Sequence, residues 1–260
     1  MKINQPTPAA ARKQVLASLL SIFLFFISFQ FISSACKKDT SIFAEGTAND
    51  FLSGKYYPSL VVEIQYMQGF RPSAQTLSNL NTFLQARLNK PGGITFVIDS
   101  IPAMHKTYYS LDDATTIEQA NRSQNKNGTR MAAYFLFVDG DYAANPSGGK
   151  ILGIAYSYTS VIIFEKTIRD YSGGLGQPQL SVLEGSVAEH EFGHLLGLVN
   201  NGTTMRSKHQ DTPNGRHCTN QNCLMYYNVE TNNVVANLLG GNIPQLDANC
   251  INDLRGNGGK

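Results

Sequence analysis

His190, Glu191 and His194 occur in the order HExxH, at the start of the stretch HEFGHLLGLVNNGTTMRSKHQDTPNGRHC that spans residues 190–218. Side chains four residues apart on an α-helix stand one above the other, so two imidazoles at this spacing can bind one zinc ion. Glu191, next to the first imidazole, is then placed to act as general base toward a water that the metal has made acidic. A catalytic zinc takes three protein donors, so a third is required. Asn200, six residues after His194, is a weak donor, because a neutral amide oxygen competes poorly with imidazole or carboxylate. His209, Asp211 and His217 remain as candidates downstream. The plain alternative makes His190 and His194 polar residues of a solvated helix and Glu191 an ordinary surface charge. Glu184 and Glu189 are expected to be ordinary helix carboxylates, His209 beside Asp211 reads as an exposed loop pair, and His105 has no partner at ligand spacing.

The elements that must carry these residues follow from pattern. LVVEIQYM (Leu60 to Met67), ITFVID (Ile94 to Asp99) and AAYFLFVDG are strands by their β-branched and aromatic content. Between them lie SAQTLSNLNTFLQARL after Pro72, with Leu77, Leu80, Leu84 and Leu88 at helical spacing, and the polar helical stretch LDDATTIEQANRSQ. Strand, helix, strand, helix, strand predicts an α/β layer with parallel pairing. The rhythm then breaks: Pro146 to Gly149 reads as a turn, and ILGIAYSYTSVIIFEKTI has the length and composition of two strands in a meander or hairpin. LSVLEGSVAEHEFGHLLGL follows as an amphipathic helix closed near Gly197, then a long loop and two short helical stretches, Val229 to Leu239 and Pro244 to Arg255.

The first 35 residues hold Lys2, Arg12 and Lys13 and no acidic residue, followed by the apolar run Val15 to Ile32 and by small residues just before Cys36. This is the layout of an export signal; the run is also long enough for an uncleaved membrane anchor. Without that leader 18 basic residues face 19 acidic ones, which leaves no electrostatic case for a nucleic-acid partner. The chain divides as a leader at 1–35, a polar tether at 36–54 and one folded domain at 55–260. The segment ISSACKKD resembles a bacterial lipoprotein signal, which implies a lipid on Cys36, a membrane partner through that lipid, and a place in the cell envelope at the outer membrane or cell surface.

HCTNQNCLM, containing His217, Cys218, Cys223 and Met225, resembles the second half of the archaemetzincin signature HExxHxxGxxHCxxxxCxM, split here by about 17 extra residues after Val199. The stretch is also similar to exported membrane zinc metalloproteases of Bacteroidetes. The resemblance implies an α/β (α+β) metzincin-like zincin fold: a twisted mixed sheet with an antiparallel edge strand, a zinc helix, a methionine turn and a C-terminal helix. It implies zinc as cofactor, His217 as third ligand and Met225 as the methionine turn, although Met225 on its own also reads as core packing. It further implies that the edge strand pairs with extended substrate, for which the second arm of the Ile151 to Ile168 region is the candidate.

Three cysteines remain besides Cys36. Outside the cytoplasm the default is a disulfide, Cys218 to Cys223 or Cys218 to Cys250. The family's second, structural zinc site is the alternative, with Asp247 standing where the signature has a cysteine and Cys250 matching the next one. The resulting expectation is an exported zinc metallopeptidase that hydrolyses peptide bonds with Glu191 as general base. Two rivals stand beside it: a surface lipoprotein that binds zinc or a partner without turnover, and a zinc hydrolase of a non-peptide amide.

Overall fold

A computed structural model describes residues 47–260. The leader and Cys36 lie outside the described residues. Residues 47–54, read above as the end of the tether, belong to the folded unit: Ala48–Leu52 forms helix α1, closed by a capping box between Thr47 and Asp50, and Phe51 and Leu52 are fully buried.

Strand β1 (Ser59–Met67) is the centre of a five-stranded sheet and pairs in parallel with β2 (Ile94–Ile101) on one side and β4 (Arg130–Phe137) on the other. Its buried run Leu60 to Gln65 is what a parallel strand covered on both faces requires. Helix α2 (Ala74–Arg87) starts where Ser73 accepts from Thr76 N and buries Leu80, Phe83 and Leu84 against one face. Tyr108–Tyr109 (β3) pairs with Asp141–Tyr142 (β5) in a two-stranded ribbon, and α3 (Leu111–Asn121), opened by the Ser110–Asp113 capping box, covers the other face.

The sheet order is β2-β1-β4-β7-β6, with β7 (Ser160–Ile163) parallel to β4 and β6 (Gly153–Ala155) antiparallel to β7. The mixed sheet with its antiparallel edge is as expected, but the edge is the first arm of the meander, not the second. The second arm inserts between β4 and β6, and its continuation is a short helix, α4 (Glu165–Asp170), rather than strand.

Helix α5 (Leu180–Leu195) carries HExxH. It is buried on nearly all sides rather than amphipathic, because the sheet covers one flank and the chain after residue 200 covers the other. Phe192 anchors it, with its ring centroid 6.0 Å from that of Phe135 on β4 and 5.6 Å from that of Phe51. Truncating such a side chain to alanine costs about 3–5 kcal/mol. Glu184 and Glu189 are therefore buried, not solvated. Glu184 accepts from Ser73 N at the start of α2. Burial raises Glu189 to about 8, and burial next to Glu184 raises Glu165 to about 9. After three short 3₁₀ turns the chain closes with helix α6 (Ala248–Gly256).

Candidate metal centres

His190, His194 and His217 stand together, with ring centroids 4.8–5.2 Å apart. Helix α5 presents the first two from adjacent turns. The third arrives by way of the insertion, which leaves and returns almost to its starting point: Arg216 Nη1 donates to the carbonyl of Asn200, and Asn200 Nδ2 donates to Gln210 Oε1. His217 is thus delivered beside the helix-borne pair, its ring centroid 5.2 Å from that of His190 and 5.1 Å from that of His194. The chain turns off the helix through Gly197, Val199 and Asn200, all with positive φ. For the β-branched Val199 at 53° this is a strained conformation.

Two of the three rings are oriented from behind. His190 Nδ1 donates to the carbonyl of Leu224 at 2.7 Å and His217 Nδ1 to that of Asn214, so both turn Nε2 inward. His190 Nε2 and His194 Nε2 face one another at 3.1 Å. Burial pushes both groups down to about 3, keeping them in the neutral form that binds metal.

A fourth donor, absent from the sequence reading, joins them. Glu230 Oε2 lies 3.4 Å from His217 Nε2 and 3.9 Å from His190 Nε2. Burial alone would lower the His217 group, but the Glu230 carboxylate raises it; that carboxylate is in turn held low by His217 against its own burial. Despite this neighbour, His217 Nε2 has no hydrogen-bond partner.

Donors about 2.0–2.1 Å from one zinc in a tetrahedron stand about 3.4 Å apart, and the observed separations of 3.1, 3.4 and 3.9 Å bracket that value. The donor set and the orphaned nitrogen fit a zinc ion. Glu191 is fully buried; its Oε2 accepts from Ala155 N at 2.8 Å and its Oε1 has no partner. Burial first, and the Glu230 charge second, raise this carboxyl well above its ordinary value.

Two glycines permit the packing. A Cβ on Gly153 of the edge strand would stand 2.9 Å from Glu191 Cγ, and one on Gly193 would stand 2.3 Å from Met225 Sδ. The first lets the edge strand close on α5, and the second seats Met225, fully buried, directly beneath the helix turn between the two histidines. Beside His194 a cleft of about 630 Å³ opens between Ala155, Tyr156 and Tyr158 above and Leu195 and Asn201 below.

The remaining candidates separate. His209 is no exposed loop histidine: it is buried, its Nε2 is 2.7 Å from Asp253 Oδ2 on α6, and its Nδ1 is 3.4 Å from Cys218 Sγ. The bridge between Gln210 and Cys218 puts it there. Cys218, Cys223 and Cys250 are buried free thiols, and neither expected disulfide is formed. Instead the donor atoms of His209, Cys218, Asp247 and Cys250 lie within 4.8 Å of one another, and Cys223 Sγ is 3.7 Å from Cys250 Sγ. Two sulfurs on one tetrahedral zinc at about 2.3 Å stand about 3.8 Å apart. Hydrogen bonds from its two neighbouring thiols hold the Cys223 thiol well below its ordinary value. Asp247 is occupied as N-cap of α6, accepting from Cys250 N at 2.9 Å. Asp211 caps the turn at Asn214 and belongs to neither cluster, and His105 lies near Asp139 with an exposed side chain.

A helix-borne histidine pair, a third histidine from a following loop, a methionine beneath them and an antiparallel edge strand above together describe an archaemetzincin-like, metzincin-type fold. Among solved structures the chain is similar to archaemetzincin from Methanopyrus kandleri, at TM-score 0.50 and 13% identity, covering 77% of this chain and 96% of that one. It is more loosely similar to metalloproteinase-II from Bacteroides fragilis, at TM-score 0.43 and 15% identity, covering 78% of this chain and 54% of that one. No family model matches the chain, and no curated protein matches it in sequence.

Proposed function

We propose that the chain is a zinc metallopeptidase of the cell envelope, with His190, His194 and His217 as metal ligands and Glu191 as general base. The observation that carries this reading is the conjunction of three inward-facing imidazoles with a buried carboxylate whose Oε1 has no partner, beside an open cleft. Zinc bound there would supply a Lewis acid that makes water nucleophilic near neutral pH. Glu191 would take the proton from that water through its unpartnered Oε1, while Ala155 N holds its other oxygen in place. The outer side of β6 offers an extended peptide a strand to pair with, next to His194. Glu191→Gln should keep the metal and lose ~10²–10⁴ in rate. Hydrolysis of a diverse peptide library by the purified domain, with and without chelator, tests the whole; unchanged turnover in the variant sinks the mechanism.

The second cluster suits a structural zinc on His209, Cys218, Cys223 and Cys250, since nitrogen and sulfur donors closing all four positions are typical of such sites. His209, from the insertion, joins the three sulfurs there, while Asp247 stays beside them, capping α6 through Oδ1 and lying 3.4 Å from Cys218 Sγ through Oδ2. Anchoring through a lipid on Cys36 belongs to the same reading; mass spectrometry of the mature N-terminus checks it, and a chain that still begins at Met1 refutes it.

One observation favours a metal-holding protein without turnover: Glu230 offers the first cluster a fourth protein donor. A site with no other purpose needs no buried base, however, and Glu191 has no structural partner for Oε1.

A further inference from the structure

We propose that Glu230 is a fourth metal donor that closes the site, so that the chain folds into a latent form and the turn at Tyr227–Glu230 must withdraw before a substrate carbonyl can take its place. The inference rests on the metal-site reading of the three histidines and deepens it.

The carboxylate of Glu230 stands where a catalytic centre leaves a corner open: its Oε2 is 3.4 and 3.9 Å from two of the three ligand nitrogens, and all four donors lie within 4.8 Å of one another. The backbone that carries it does a second thing. Leu152 N donates to the Glu230 carbonyl at 2.7 Å, Ile151 forms a bridge with Thr231, Asn232 N donates to the Lys150 carbonyl, and Lys150 N donates to Asn232 Oδ1. Residues 230–232 therefore line residues 150–152, the stretch leading directly into the edge strand β6. One short segment fills the metal's fourth position and occupies the start of the surface that an extended peptide would use.

Apart from these polar contacts, the segment is lightly anchored. It is made of short 3₁₀ turns, whose hydrogen-bond geometry is poorer than that of an α-helix. Between 227 and 238 only Val229, Val234 and Leu238 are buried apolar anchors. The Glu230 side chain keeps a quarter of its surface exposed, whereas the His190 side chain has none.

Cobalt(II) in place of zinc reads the coordination directly. The probes are the visible absorption bands of the wild type, Glu230→Gln and Glu230→Asp, followed from pH 6 to 9 and titrated with azide. His190→Ala supplies the baseline from the cysteine cluster. A neutral amide is a weak donor and the shorter aspartate falls short of the corner, so both variants should open a position. Wild-type bands should be insensitive to pH and azide, while Glu230→Gln should respond to both, with azide binding at least about tenfold tighter if the open form of the wild type is populated below about 10%. Glu230→Asp, which keeps the charge, should fall between them and stands in if the Gln variant fails to fold. Wild-type bands that titrate and bind azide like those of Glu230→Gln would overturn the proposal and leave Glu230 as a partner of His217 in the metal-free protein alone. A wild type that takes up no more cobalt than His190→Ala removes the metal reading and the inference together. A closed wild-type site with no peptide cleaved by any variant refutes the peptidase reading and leaves the closed site standing.

Discussion

His217 and Cys218 are neighbours in sequence, yet their side chains enter different clusters, as successive residues of an extended chain do. The histidine cluster keeps buried polar atoms without hydrogen-bond partners, Glu191 Oε1 and His217 Nε2, the second with only the Glu230 carboxylate 3.4 Å away, beside a cleft. In the cysteine cluster each donor touches another donor or a backing group: His209 has Asp253 and Cys218, Cys250 has Cys223, and Cys223 Sγ accepts from the backbone of Met225 and Asp247. The difference separates a site that keeps a buried carboxylate oxygen and a cleft beside its donors from one whose donors are backed on all sides by the fold.

The sharpest way to break the comparison is His190→Ala. Peptide hydrolysis should fall to background and metal content should drop by one ion per chain, with the cysteine thiols still protected from alkylation in the folded protein. Loss of both ions would show that the clusters form a single cooperative unit. Next comes Cys250→Ser, which removes a donor from the cluster that closes α6 onto the loop after α5. The cost should be about 3 kcal/mol, roughly 6–12 °C in Tm for a domain of this size, because structural metal binding is folding free energy. A melting curve unchanged by chelator in the wild type would deny the cluster any structural role. The smallest effect expected is that of Asp253→Asn. Asp253 is fully buried, accepts from Arg206 N at 2.7 Å and backs His209. Its amide keeps one acceptor and loses the charge, so about 1–2 kcal/mol should go, with hydrolysis little changed.

The parallel strands and the helix carrying HExxH could be read from sequence because each rests on local periodicity or a fixed spacing; for the third donor the residues alone left His209, Asp211 and His217 open, and only the resemblance to the archaemetzincin signature singled out His217. The order of the meander could not: Ile151 to Ala155 and Ser160 to Ile163 share composition and alternation, and only pairing shows that the second enters the sheet. The surroundings of α5 were likewise hidden, since Glu184 and Glu189 look like solvent-facing charges until the chain beyond residue 200 covers them. His209 draws its partner from α6, 44 residues later, and nothing near it in the insertion marks it as buried. Glu230 follows Met225 by five residues in a stretch without periodicity; its one sequence-level signal is a lone acid close behind the methionine turn.

The closed ends of the insertion bear on how readily the first site assembles. In the uninterrupted signature the second and third ligands lie six positions apart, whereas here His194 and His217 are 23 apart. Bringing the ends of a longer flexible loop together costs only as the logarithm of its length, about 1 kcal/mol for this change. The hydrogen bonds from Arg216 to Asn200 and from Asn200 to Gln210 are made by the polypeptide itself, so part of the entropy of ordering the insertion is spent independently of metal at the histidine cluster. The expected signature is kinetic: capture at the histidine cluster should be fast in the folded chain and slow from the unfolded one, where the loop must first find its own closure.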